Sequence, residues 1–197
     1  DQDLPKDEEK RELYEIGKEL FSEMGYVEIG MDHFALKEDS LFKATEEKTV
    51  HRNFMGYTAN KTQLMIGLGM SAISDSWYGF AQNVKTVKEY QKVVNEGELP
   101  IFRGHLLTDE DLIVRKHILN MMCHFTTTWS DSDLDSIDLE KHFLLLEEMV
   151  IDGLVVLNGN TLSIPEKARP YVRNICMAFD VHLQNNKPGT QLFSMTI

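Results

Sequence analysis

This sequence predicts an α+β fold, mostly helical, on three observations. Helix and strand signals alternate up to about residue 84, strand signals fade beyond it except for one pair of short strands, and helical stripes with start and stop residues carry the rest. At 197 residues, with 42% hydrophobic and 26% charged residues, the chain can form one large or two small domains and is ordinary in composition for a globular protein. Folding at this size buries roughly 70% of the unfolded surface, which allows a sizeable core.

Pro5 and the acidic run after it open a first helix, in which Leu13, Ile16, Leu20, Phe21 and Met24 recur at helical spacing until Gly25 stops it. Tyr26, Val27, Ile29, Met31 and Phe34 then read as one buried strand ending in the polar pair Asp32 and His33. A second helix falls within 39–47. The run 64–69 reads as another buried strand, with Gly67 and Gly69 letting a second backbone approach closely. Helix, strand, helix, strand is the order of a βα architecture.

Farther on, Val87, Tyr90, Val93 and Val94 form a helical stripe over 86–96 that stops at Gly97. Thr108, followed by Asp109, Glu110 and Asp111, opens a helix running to about Phe125. Another helix spans about 138–151 and ends at Gly153, and two short strands flank Asn158 and Gly159 within 154–164. Pro170 suits the first turn of a last helix with Val172, Ile175, Cys176 and Phe179 on one face. Helix, loop-and-helix segment, helix, hairpin and helix is the winged-helix order. The expected domains are therefore 1–84 and 85–197, with the boundary near 84–104.

Charge and composition narrow the function. A net charge of −12 opposes the attraction that supplies most non-specific nucleic-acid binding. No apolar run reaches 18 residues and no charged-then-apolar leader is present, so the expectation is a cytoplasmic protein with no membrane partner. Cys123 and Cys176 both fall in apolar helical sequence and read as buried free thiols of a reducing compartment. A chain that opens on Asp1 and runs straight into a polar helix reads as a piece of something longer.

The span 30–83 holds most of the chemistry, because it mixes apolar runs, close glycines and polar groups in the manner of a cofactor pocket. Gly67 and Gly69 are too short a pattern for a dinucleotide fingerprint, and a tightly packed strand explains them equally well. Asp32 and His33 sit where a barrel strand would end, the place where such folds put ligand-binding groups, or else form a hydrogen-bonded corner. Arg52 in HRNFMGYT could grip a carboxylate, and Phe54 with Met55 could offer a soft wall to a ring or a sulfonium; a solvated charge beside two core residues is the plainer reading. The seven histidines show no HxxH or HExxH spacing, so no metal site is expected. P-loop, G-x-S-x-G and CxxC motifs are all missing.

Taken together, GYVEIGMDHFAL, VHRNFMGYT, IGLGMSAIS, FAQN, ELPIFRGHLLTDEDLIVRKHILNMMC and RPYVRNICMAFD, in that order and through the final QLFSMTI, resemble the oxygen-independent coproporphyrinogen III oxidases, also called coproporphyrinogen dehydrogenases. Haem chaperones of the same superfamily are built differently where this chain has HRNFMGYT. The resemblance implies a radical S-adenosylmethionine enzyme of haem biosynthesis. It converts two propionates of coproporphyrinogen III to vinyl groups, giving protoporphyrinogen IX, with a 4Fe-4S cluster and an electron donor such as flavodoxin or ferredoxin. The family holds its cluster on CxxxCxxC, which two cysteines cannot supply. The resemblance thus implies the C-terminal part of the enzyme: the last βα units of an incomplete radical-SAM barrel at 1–84, then a winged-helix-like helical domain at 85–197, inactive without the missing N-terminal barrel half.

Carried over by residue, Ile73 matches a family position that contacts S-adenosylmethionine through its backbone. Phe54 and Met55 match the FQ pair of HRNFQGYT, which lies close to that cofactor; Met55 departs from the family's Gln and cannot make an amide hydrogen bond. Arg52, Arg103, Arg115 and Arg173 are candidates for pairing the substrate's propionates, with Arg52 first because it neighbours the cofactor loop. Two other readings are a haem-binding chaperone using His or Met ligands and a winged-helix nucleic-acid binder. The second fits poorly, because the candidate recognition helix carries Asp138, Glu140, Glu147 and Glu148 against Lys141.

Overall fold

The structure, a computed structural model, describes residues 5–136, 139–180 and 182. In chain order its elements are α1 (Asp7–Glu23), β1 (Tyr26–Gly30), β2 (His33–Leu36), α2 (Ser40–Glu46), β3 (His51–Asn53), β4 (Gly56–Thr58), β5 (Ile73–Asp75), β6 (Gly79–Asn83) and α3 (Val87–Asn95). There follow β7 (Ile101–Leu106), α4 (Asp109–His124), β8 (Thr126–Thr128), α5 (Asp131–Ser136), α6 (Leu139–Ile151), β9 (Val156–Asn158), β10 (Thr161–Ser163), a 3-10 helix (Glu166–Tyr171) and α7 (Val172–Met177). Asp138 and the QLFSMTI segment at 191–197 lie outside the described residues. No helix among the described residues is long and apolar enough to cross a membrane.

Helix ends follow local chemistry. Asp39 caps α2 by accepting from the Leu41 amide at 2.7 Å, and Thr86 caps α3 through the Glu89 amide at 3.3 Å. Thr108 and Asp111 satisfy each other's amides at the start of α4, as do Ser130 and Asp133 at the start of α5. Gly25 and Gly97 close α1 and α3 at φ +87° and +81°, a left-handed conformation that glycine adopts without penalty.

Several strand expectations are corrected. Residues 26–34 do not form one strand: Met31 turns the chain at φ 52°, and β1 pairs antiparallel with β2, Val27 opposite Ala35. Asp32 therefore lies in a hairpin turn and His33 begins the returning strand, so neither marks the end of a barrel strand. The run 64–69 forms no strand; only Met65 bridges to Asp75. Each strand pairing among the described residues is antiparallel, so 1–84 is not a series of βα units with parallel strands. Strands also continue past residue 84, as β7 and β8, and Pro170 sits inside the 3-10 helix before α7.

The chain forms two compact units, one of residues 1–59 with 114–197 and the other of 60–113. Around the expected boundary near 84–104, β6 and β7 lie together in a sheet of order β5-β6-β7, and their ladder joins residues on either side of that stretch. In the first unit, β8, β10 and β9 form an antiparallel sheet in that order, and its face closes a core of Met121, Trp129, Leu146, Leu162, Ile175 and Phe179. A second core gathers Ile29, Ala35, Ala44, Val50, Tyr57 and Cys123 beneath the two N-terminal hairpins. Both cysteines are buried and free, as the sequence predicts. The apolar stripe of α1 is present but open, with Leu13, Ile16, Leu20 and Met24 all exposed.

Candidate functional site

The motif HRNFMGYT is a tight hairpin. Arg52 faces Tyr57 and Asn53 faces Gly56 across β3 and β4, leaving Phe54 and Met55 as the turn. Asn53 holds that turn by accepting from the Met55 amide at 2.8 Å, an Asx contact. Gly56 takes φ +116°, and a Cβ there would stand 2.6 Å from His33 Nε2, so glycine is required twice over. The turn is presented outward: Phe54 is 51% and Met55 85% exposed, whereas Tyr57 behind them is 8% exposed.

Tyr57 is where the predicted residues of this unit meet. The Arg52 guanidinium lies over its ring at 4.8 Å, and the His33 ring meets it edge-on at 5.1 Å and 75°. Asp32 Oδ1 is 3.0 Å from His33 Nδ1. Burial pushes the Tyr57 phenol well above its ordinary value, although the Arg52 charge opposes the shift. The same burial pushes the Cys123 thiol up to about 11 and Cys176 up to about 12, again against the pull of Arg52. Arg52 Nη1 is buried and has no hydrogen-bond partner among the described residues. A cation stacked on a ring with an unused donor is equipped to take an anionic ligand.

Ile73 belongs to the other unit, in the edge strand β5 opposite Gln82. Asp75 exchanges both backbone bonds with Met65, at 2.9 and 2.8 Å, on the side of β5 away from β6. Strand alternation turns the backbone N–H and C=O of Ile73 to that same outer side. Gly67 lies alongside, and a Cβ there would stand 2.8 Å from the Ile73 carbonyl carbon and oxygen. The close approach expected of this glycine is thus present: the Gly67 backbone lies directly against that of Ile73. Asn83 holds the loop in place by donating to the carbonyls of Gly67 and Gly69 at 3.0 and 2.8 Å, and the Gly67 amide donates to Ser74 Oγ at 3.0 Å. A Cβ at Gly69 would meet nothing within 4 Å, and glycine is needed there for its φ of +100° instead.

Of the other arginines, Arg103 donates through Nε to Gln82 at 2.9 Å on the exposed β6–β7 ladder. Sequence reasoning missed Tyr57, and a signal existed: a two-residue turn at 54–55 forces Arg52 and Tyr57 into register. It missed Asn83 as well, whose partners lie 14 and 16 residues back along the chain.

No family model matches the chain. Among curated proteins, the oxygen-independent coproporphyrinogen III oxidase of Pseudomonas aeruginosa is 37% identical over 186 residues, covering 92% of this chain and 40% of that protein. The protein of the same name from Escherichia coli is 36% identical over 202 residues, covering all of this chain and 44% of its own length. A solved structure, the coproporphyrinogen III oxidase HemN of Escherichia coli described as a radical SAM enzyme, superposes with a TM-score of 0.83 at 35% identity, over 93% of this chain and 43% of that one. The chain spans about two fifths of the length of these relatives. Over nearly its whole length, this chain is homologous to the oxygen-independent coproporphyrinogen III oxidases.

Proposed function

We propose that the chain is the C-terminal part of an oxygen-independent coproporphyrinogen III oxidase, working in the oxidative decarboxylation of two propionates of coproporphyrinogen III to the vinyls of protoporphyrinogen IX. The observation that carries this reading is the match to proteins of that name across nearly the whole chain, with a common fold at TM-score 0.83. When bound elsewhere in the protein, a 4Fe-4S cluster with S-adenosylmethionine supplies the radical that starts the reaction. The cysteines here do not fit that cluster: Cys123 and Cys176 are buried, and burial holds both thiols protonated. The ligands therefore belong to a CxxxCxxC segment outside this chain, and an electron donor such as flavodoxin or ferredoxin serves the full enzyme.

The residues of this chain bind and orient. The backbone of Ile73, with only a glycine packed against its outer side, suits hydrogen bonding to S-adenosylmethionine. Phe54 and Met55 offer the exposed apolar turn against which a thioether-like or ring surface can rest, Met55 by dispersion. Arg52, stacked and with Nη1 unused, suits a carboxylate such as a propionate, with the Asp32–His33 pair beside it. The order α4, β8, α5, α6, β9, β10 and the sheet order β8-β10-β9 support the winged-helix-like reading of the last part of the chain. Its acidic residues speak against nucleic acid.

Anaerobic incubation with iron and sulfide tests the division of labour. The chain alone is expected to stay colourless, and the chain joined to a CxxxCxxC segment to turn brown. A brown chain alone contradicts the reading.

A further inference from the structure

We infer that Tyr57 is the positioning residue of the β3–β4 turn: its ring fixes the Arg52 guanidinium, and its hydroxyl pins the hairpin to α4. The inference rests on the proposed reading of this turn as a ligand-contacting wall. Three contacts carry it. The ring face lies under Arg52 at 4.8 Å and its edge meets His33 at 5.1 Å, so one side chain sets the place of both polar candidates in this unit. The Tyr57 hydroxyl donates to the Met122 carbonyl at 2.7 Å. Met122 lies in the last turn of α4, whose carbonyls have no partner within the helix, so this bond satisfies both a buried phenol and an orphan acceptor.

The backbone is shaped around the ring as well. A Cβ at Gly30 would stand 2.5 Å from the Tyr57 hydroxyl oxygen and 2.8 Å from Cζ, so β1 passes where only glycine fits. Arg52 and Tyr57 are register partners, so the cation and its platform move as one body with the turn between them. Phe54 and Met55 are exposed, and Asn53 holds the Met55 amide at 2.8 Å. Removing the ring frees Arg52 to seek solvent or the Asp32 carboxylate, and the turn loses its reference. Removing only the hydroxyl loosens the tie to α4 but leaves Arg52 stacked.

The two variants separate a positioning role from a merely structural one. In the whole protein that carries this chain, S-adenosylmethionine affinity is measured by calorimetry at a temperature where each variant is folded, alongside Tm and the Arg52 Nε–H resonance. Tyr57→Phe is expected to lower Tm yet keep affinity within about threefold and leave the resonance in its ring-shifted position. Tyr57→Leu is expected to weaken binding about tenfold and move the resonance. Unchanged binding by folded Tyr57→Leu, or a resonance that does not move in it, overturns the positioning role. If Tyr57→Leu does not fold, Tyr57→Phe decides: an unchanged Tm overturns the pin to α4, and a resonance displaced from its ring-shifted position overturns the hold of the ring on Arg52. A wild-type protein whose Arg52 resonance is ring-shifted but which binds no S-adenosylmethionine overturns the reading of the turn instead.

Discussion

His117 shows how a single buried side chain can tie stability to pH. It is 1% exposed, its Nδ1 lies 2.7 Å from Thr127 Oγ1, its Nε2 lies 3.3 Å from Asp133 Oδ2, and its ring stacks on Trp129 at 4.8 Å. Burial lowers its pKa, Lys116 adds to the effect, and Asp133 opposes it. A histidine whose folded pKa lies below its unfolded value stabilises fully above the unfolded value, near 6.5, and loses that contribution as pH falls. Asp133 acts in a separate window: burial raises its pKa, but the bonds from Lys116 and Ser130 outweigh this and hold it well below the carboxylate range. Tm is therefore expected to fall between about pH 7 and 5 by more in the natural chain than in His117→Gln, as read by circular dichroism. Equal slopes would remove His117 as the cause. The thiols give a second test at this scale. With Cys123 near 11 and Cys176 near 12, both are expected to resist iodoacetamide at neutral pH and to react once denatured, with mass spectrometry counting the adducts. Rapid labelling of the folded chain would contradict their burial.

Among the elements, helices were legible and strands much less so, for a physical reason. A helix announces its ends locally, as Thr86 with Glu89, Thr108 with Asp111, and Gly25 and Gly97 do here. A strand is defined by a partner that may be far away. The turn that makes β1 and β2 a hairpin puts Met31, not its neighbour Gly30, at positive φ, so the apolar run over 26–34 hides the break that Gly30 and Asp32 flank. The apolar run at 64–69 satisfies its backbone through Ser74 and Asn83 instead of a ladder, which hydrophobicity alone does not reveal. Tyr57 stayed hidden because its hydroxyl partner is 65 residues away. The β5 edge carries its own prediction. Gly67→Ala places a methyl 2.8 Å from the Ile73 carbonyl, which should cost about 1–3 kcal/mol in denaturant unfolding and weaken S-adenosylmethionine binding by the whole protein. Retained stability with retained affinity would mean that the Ile73 edge is not a contact.

On the scale of the whole molecule, the resemblance read from the motifs agrees with the relatives found by identity and by fold. Composition changes near residue 84, yet the β6–β7 ladder crosses that point, and ladders outrank composition in deciding which residues fold together. The roles given to Ile73, Phe54, Met55, Arg52, His33 and Asp32 follow from the resemblance and the local geometry and are proposals. Surface chemistry fits a part that works within a larger protein: α1 presents Leu13, Ile16, Leu20 and Met24 outward, and β7 is exposed along its length. The most direct measurement is anaerobic turnover of coproporphyrinogen III by the protein that joins this chain to a CxxxCxxC segment, with S-adenosylmethionine and a reductant present. The account predicts protoporphyrinogen IX with release of carbon dioxide, and none from the chain alone. Failure of the joined, cluster-loaded protein to decarboxylate the substrate would contradict it.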